Sequence, residues 1–342
     1  MLQTFATLPE NIEKAISEVL SENTESEWVS RAKRLHERYM ENTEGGKTFI
    51  HDLTDALAYL ALRVPATYAQ AFGALNATKE LVENWKPTTV LDIGSGPGTA
   101  IWAAKEVWPS LEKAVCIDSD NNFLRIGETI ALKAQLPLSI SWSKGKVENG
   151  FGERSERYDV VVLGNLLNEL PAIERENILE KAYDVCKGVV IVIEPGTPSG
   201  SSITSSAFKR FSSAGNLIAP YIGNSFVTDN SYYLHFSQRF NRPQFQKRVR
   251  QYMRNDLLSS SDVEDAKYSY TAFGKLSPKI QPWGRVVGNS KIQKGFLEIP
   301  VLTHDAISWI KVMKRNKQQY RFAKELKWGD LIQEKELIHP SP

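Results

Sequence analysis

A short β-branched run, Thr88-Thr89-Val90-Leu91-Asp92, ends on an acidic residue and hands over to alternating glycines, Gly94, Gly96 and Gly98. A helical pattern then resumes over residues 99–107. No other stretch restricts the fold as strongly. Glycine at every second position lets the chain turn tightly and brings bare backbone against a ligand. A strand, a glycine loop and a helix in that order open a doubly wound α/β domain. The expected continuation is present. Apolar runs at 114–118, 138–142, 158–163 and 189–193 read as strands, separated by helical patterns at 122–134 and 172–186. Strands that are apolar throughout, alternating with helices, predict a parallel sheet covered on both faces.

The loop also narrows the ligand. Dinucleotide folds use G-x-G-x-x-G to seat a pyrophosphate on the helix N-terminus. Here the sixth position is Thr99, and the pattern is G-x-G-x-G after an acid. That favours S-adenosylmethionine, which has no phosphate and offers a charged amino-acid end, over an ordinary glycine-rich turn. The fold class expected is therefore α/β, a Rossmann-like class I methyltransferase sheet.

Candidate cofactor residues follow the strand ends. Asp92, Gly94, Ser95, Gly96 and Gly98 form the loop, with Asp92 ordering it or meeting the methionine amino group. Asp118, 20 residues after Gly98, sits where an acid would accept hydrogen bonds from the ribose hydroxyls, with Ser119 beside it. Asp120 is a near alternative, and Asp118 could instead cap the helix that follows. Glu148, in the run Lys146-Val147-Glu148-Asn149, is a candidate for the adenine edge. The fourth strand ends in Gly164-Asn165-Leu166-Leu167-Asn168-Glu169, which should border the transferable methyl group. Asn165 and Glu169 are the catalytic candidates, Asn165 doubling as a cofactor contact, whereas Asn168 suits a helix cap equally well. The segment lacks an N-P-P-Y motif and a cysteine nucleophile.

Around this core the sequence predicts a helical region over residues 1–85 and a basic α+β region over 226–342, leaving 86–225 as the cofactor-binding domain. The first region shows apolar stripes at Ile12, Ile16, Val19 and Leu20 and at Trp28, Ala32, Leu35 and Tyr39. Further helices are expected at 54–63 and, after a break at Pro65, at 66–85, the whole packing on a neighbour as a lid or platform. Later elements are a helix at 202–214, strands at 268–273, 296–302 and 307–313, and a helix at 318–326.

Charge is divided along the chain. Residues 1–85 hold 8 Lys+Arg against 13 Asp+Glu, residues 86–199 hold 12 against 16, and residues 200–342 hold 22 against 11. Two basic runs account for the last excess. Residues 239–254 carry Arg239, Arg242, Lys247, Arg248, Arg250 and Arg254 with interleaved aromatics; residues 311–327 carry seven cations, Lys314 and Arg315 among them, and one acid. Each run alone could be a solvated helical face, but together they point to a polyanion such as RNA. A purely small-molecule substrate fits them poorly.

Other classes recede. Five histidines show no metal-ligand spacing, so no metal site is expected. Cys116 and Cys186, 70 residues apart, read as buried hydrophobes in a reducing compartment. No apolar run reaches the roughly 20 residues of a membrane span. The N-terminal residues match neither a secretory signal nor an Arg-rich leader, so the expectation is a soluble, monomeric protein of the bacterial cytoplasm.

Several stretches, in order from about residue 55 to 330, resemble a known family. They are Arg63-Val64-Pro65-Ala66-Thr67-Tyr68-Ala69, the glycine loop and its helix, Asn168-Glu169-Leu170-Pro171, and Glu194-Pro195-Gly196-Thr197-Pro198-Ser199-Gly200. His235-Phe236-Ser237-Gln238-Arg239, Lys267-Tyr268-Ser269-Tyr270 and Lys327-Trp328-Gly329-Asp330 complete the set. The combination is similar to the methyltransferase-like proteins associated with the mitochondrial small ribosomal subunit and their bacterial relatives. The resemblance implies binding to small-subunit ribosomal RNA during assembly, either as an RNA methyltransferase or as a non-catalytic factor that keeps the fold. One departure stands out. Family members commonly carry iron–sulfur cysteines in the C-terminal half, whereas here no cysteine follows Cys186. No iron–sulfur cluster is expected, and packing by Tyr221, Phe226 and Leu234 is expected in its place.

Overall fold

The computed structural model describes residues 5–41, 50–145, 156–212, 216–220, 222, 233–253 and 262–333. The four leading helices are α1 (Glu10–Ser21), α2 (Glu25–Glu41), α3 (Leu53–Leu62) and α4 (Val64–Lys79). Asp52 caps α3 by accepting from the Asp55 amide, and Arg63 alone separates α3 from α4. Pro65 does not delay α4 to residue 66; it lies in the helix's first turn, where no intrahelical N–H is required. The helix stops at Lys79 rather than reaching residue 85.

The core alternates as the apolar pattern requires. In order come β1 (Thr89–Ile93), α5 (Thr99–Val107), β2 (Lys113–Asp118), α6 (Asn121–Lys133), β3 (Ser139–Lys144), β4 (Tyr158–Gly164), α7 (Ala172–Val185) and β5 (Cys186–Pro195). Cys186 opens β5 instead of ending the helix. It is buried, as is Cys116 in β2. Strands β1 to β5 are parallel, and the central ones, β1, β4 and β5, are buried along nearly their whole length.

The remaining elements are α8 (Pro198–Phe211), β6 (Asn216–Ala219), β7 (Phe236–Asn241), α9 (Gln244–Met253), β8 (Val263–Gly274), β9 (Gly284–Val286), β10 (Lys291–Gln293), β11 (Phe296–Thr303), β12 (Ile307–Met313), α10 (Lys317–Glu325) and β13 (Leu331–Ile332). They move a domain boundary. The main sheet runs β3-β2-β1-β4-β5-β8-β6, with β7 also on β8, and β8 is antiparallel to β5 over residues 268–274. The core therefore does not close at residue 225. β7 and β8, assigned by sequence to the C-terminal region, complete it, because β5 would otherwise present an unpaired apolar edge. The C-terminal unit proper is the second sheet, β10-β11-β9-β13 with β12 on β11. Its small core is formed by Leu297, Ile299, Val301, Val312, Ala323 and Ile332. The strand order and the single antiparallel strand beside β5 are those of the class I methyltransferase fold.

The order of strands reverses between β1 and β4, which both leave from the sheet centre. At such a switch point the loops diverge and leave a crevice beyond the strand ends. The helices α3 and α4 supply one wall of that crevice: α4 packs on α5, β8 and β7. The neighbour on which α4 lies is the core sheet and α5.

Candidate cofactor cleft

The loop after β1 is shaped by backbone conformation. Gly94, Gly96 and Gly98 have φ of 69°, 54° and 88°, a region that β-carbons disfavour. The Gly94 and Ser95 amides donate to the Ile117 carbonyl at 2.8 and 3.1 Å, tying the loop to the end of β2. At Gly98 a β-carbon would also come within 2.7 Å of the Trp142 ring.

Asp118 faces this loop. Its Oδ2 accepts from the Gly96 amide at 2.8 Å and its Oδ1 from the Asp120 amide at 2.9 Å. Asp120, not Asp118, caps α6, accepting from the Asn122 and Phe123 amides. The two roles that sequence left open thus separate: Asp118 belongs to the cleft, with Ser119 beside it. Glu148 lies outside the described residues.

Three further carboxylates converge on the same strand ends. Asp92 is only 1% exposed, and its Oδ2 has no hydrogen-bond partner. Burial, helped by the neighbouring Asp118 charge, pushes its carboxyl up to about 8. Glu194, at the end of β5, is fully buried; its Oε1 accepts from the Leu167 amide at 2.9 Å while Oε2 stays unpartnered. Burial raises it to about 8 as well. Glu169 lines the cleft and is raised to about 7, by burial first and the Asp118 charge second. Asn168 caps no helix, since Pro171 occupies the N-cap of α7. It lines the cleft instead, with its Oδ1 buried and unpartnered.

Asn165 adopts φ of 55°, and its amide donates to the Ile193 carbonyl at 2.7 Å. Its Nδ2 donates to Gln70 Oε1 at 3.1 Å, while Gln70 Nε2 donates to the Lys267 carbonyl at 2.8 Å. One buried glutamine on α4 thereby links the end of β4 to β8. From α3 and its junction with α4, Tyr59, Arg63 and Thr67 enter the cleft. Tyr59 packs edge-on against Phe123, 5.0 Å between ring centres.

Sequence reasoning missed Tyr59, Arg63, Thr67 and Phe123 as cleft residues, and Gln70 and Glu194 buried behind them. Arg63, Thr67 and Glu194 lie within stretches that carried the family resemblance, which was their available signal. Tyr59 and Phe123 are indistinguishable in sequence from core aromatics.

The arrangement suits a cation. Carboxylates that are buried without full partners are costly, and a ligand bearing positive charge and donors relieves that cost. S-adenosylmethionine brings an ammonium and a sulfonium; a dinucleotide's pyrophosphate would meet Asp92, Asp118 and Glu169. The residues present therefore fit S-adenosylmethionine. Asp92 and the glycine loop would hold its amino-acid end, Asp118 the ribose, and Asn165 and Glu169 would stand near the sulfonium. Among the described residues no group of His, Cys, Asp and Glu is arranged to hold a metal.

The two basic runs differ in structure. In the first, Arg239 pairs with Asp265, Arg242 and Arg250 with Glu264, and Lys247 with Asp262, all at 2.5–2.9 Å. Arg248 lies 3.6 Å from Glu25, and Arg254 is outside the described residues. This run is a strand, β7, followed by α9, and five of its six cations sit against carboxylates. Lys314 and Arg315 of the second run are exposed in the turn after β12. Of the three side chains expected to replace cluster ligands, Leu234 is buried, and Tyr221 and Phe226 lie outside the described residues.

Known proteins resemble this chain at three levels. The human ribosome assembly protein METTL17, mitochondrial, is 25% identical over 198 residues, which cover 51% of this chain and 43% of that protein. Among solved structures, the plantazolicin methyltransferase BpumL in complex with SAH aligns with a TM-score of 0.37 at 10% identity, over 78% of this chain and 99% of that one. An O-methyltransferase family protein from Burkholderia thailandensis aligns with a TM-score of 0.38 at 14% identity, over 66% and 61%. A family model described as mitochondrial small ribosomal subunit Rsm22 matches residues 53–333, from the first helix over the cleft to the last strand. The chain belongs to the Rsm22 family.

Proposed function

We propose that this chain is a methyltransferase-like assembly factor of the small ribosomal subunit, binding S-adenosylmethionine in the cleft and small-subunit ribosomal RNA through its basic C-terminal third. The observation that carries the cofactor half is the set of buried carboxylates beside the glycine loop, above all the unpartnered Oδ2 of Asp92. For the RNA half, support comes from membership of the family and the excess of 22 Lys+Arg over 11 Asp+Glu in residues 200–342. The cofactor supplies a methyl group on a positively charged sulfur. The chain's own residues orient it: Asp118 spans loop and ribose, and Glu169, raised towards neutrality, can take a proton from an acceptor at the cleft mouth.

A second reading keeps the cofactor as a structural ligand only. One observation favours it: Asn165 Nδ2 donates to Gln70 on the scaffold, which ties this side chain to a structural contact and leaves only its second N–H and its Oδ1 for a ligand. Titration calorimetry with S-adenosylmethionine and its demethylated product should show binding that Asp118→Asn weakens at least tenfold. Incubation of immature small subunits with labelled cofactor then divides the readings. Label in RNA supports methylation; binding without label supports the structural role. Absence of cofactor binding would overturn both.

A further inference from the structure

The small C-terminal sheet has two faces, fixed by strand alternation. Leu297, Ile299 and Val301 of β11 and Val312 of β12 point into its own core. The intervening residues point the other way, and register aligns them: Lys291, Glu298 and Lys311 in one row, Gln293, Phe296 and Met313 in the next. Lys291 Nζ lies 4.1 Å from the Trp309 ring and Lys311 Nζ 3.8 Å from the Phe296 ring. Trp309 is 45% exposed on the outer strand β12. At one end of this face Leu302 is buried in the main core; at the other, two aromatic rings lie under lysines with Glu298 between those lysines, a surface that offers both a stacking plane and cations.

Charge pairing sets this face apart. Among the described residues, Lys291, Lys311, Lys314 and Arg315 have no carboxylate within 4 Å, whereas the cations of α9 and β7 are held by Glu25, Asp262, Glu264 and Asp265. Cations already paired give up little on meeting a phosphate; unpaired ones release counterions. The hydrogen bond from the Lys314 amide to the Gly295 carbonyl brings the β12 turn beside the β10–β11 hairpin, so the unpaired cations border the aromatic surface.

We propose that this sheet face binds an unpaired stretch of RNA. A base takes the place of the Lys291 ammonium over the Trp309 ring, and the displaced Lys291, with Lys311, Lys314 and Arg315, meets the backbone phosphates. The assignment rests on the RNA-binding reading above and places that contact on the second basic run, not on the 239–254 run. Duplex RNA hides its base faces and would use the lysines alone; an acidic protein partner would likewise leave the tryptophan without a role.

The test is fluorescence anisotropy of the full-length chain with a labelled unpaired oligoribonucleotide and a matched duplex, across salt concentrations. Trp309→Ala should weaken unpaired RNA about tenfold or more, leave duplex binding alone, and be rescued by Trp309→Phe. Lys291→Ala with Lys311→Ala should weaken binding and flatten the salt dependence by roughly 0.7 per lost phosphate contact. Lys247→Ala with Arg250→Ala should not change the salt slope. Melting curves establish that each variant is folded. If the parent binds RNA and the Trp309 and lysine variants bind equally well, this face is overturned while the RNA reading stands. Loss in the lysine variant alone overturns the stacking contact. If the parent binds neither RNA at low salt, the RNA reading itself fails and this face with it.

Discussion

Asp92 shows how a ligand site is built at the expense of the unliganded fold. Its carboxyl ordinarily ionises near 3.8 but is held at about 8 by burial. Between those values the folded chain keeps a proton that the unfolded chain has lost, so stability falls as pH rises from about 4 to about 8 and levels off above. Glu194, raised to about 8 from 4.5, adds to the same slope. Asp92→Asn removes its share. The ligand-free variant should melt higher than the parent at pH 8, by an amount on the order of a few kcal/mol, and equally near pH 4. A cationic ligand reverses the preference by favouring the ionised carboxylate. S-adenosylmethionine affinity should therefore strengthen from pH 6 to pH 8 in the parent, with proton release visible as buffer-dependent heat, and show a shallower dependence in Asp92→Asn, the remainder coming from Glu169 and Glu194. A variant that bound the cofactor with the parental pH profile would remove Asp92 from the site.

At the scale of elements, α4 decides whether the strand ends are held in place. Gln70 is its polar strut to the strand ends, joining Asn165 after β4 to the Lys267 carbonyl in β8. Gln70→Leu keeps the volume but strands a donor and a carbonyl, which should cost roughly 2–4 kcal/mol and lower cofactor affinity although Gln70 touches no ligand. Denaturant melts with calorimetry would measure both; an affinity loss without a stability loss would make Gln70 a direct contact. The sequence disclosed much at this scale. β1, β4 and β5 were legible because two-faced burial leaves uninterrupted apolar runs such as Val160-Val161-Val162-Leu163, and the loop glycines because side chains disfavour their φ. The pairing of Asp118 with Gly96 and the capping by Asp120 could not be separated, since both acids stand within two residues of one strand end. Gln70 was invisible: its partners lie 95 and 197 residues away, and a lone glutamine in a helix carries no periodic signal. The pairing of the basic run 239–254 was hidden for a related reason. Its neutralising acids, Asp262, Glu264 and Asp265, follow in sequence, but only the β7–β8 pairing sets Arg239 against Asp265.

On the scale of the whole molecule, the sheet and the charge divide the chain at different places. Charge changes sign near residue 200, yet β8, at residues 263–274, lies inside the main sheet. A fragment ending at residue 225 would contain the entire glycine loop and every described cleft residue, and nonetheless lack the strand that covers β5. It should fail to melt cooperatively or bind S-adenosylmethionine, by circular dichroism and calorimetry, whereas the full chain is expected to do both; a folded, ligand-binding fragment would show that β8 is dispensable. The insertion of β8 also sets a clock on biosynthesis. β5 is complete at Pro195, but its partner is not finished until Gly274, 79 residues later. At roughly 5–20 residues per second of synthesis, that leaves a bare apolar strand edge for about 4–16 seconds. During that interval the nascent chain is a substrate for edge-to-edge association, so chaperone dependence and yield should follow the speed at which codons 196–274 are read.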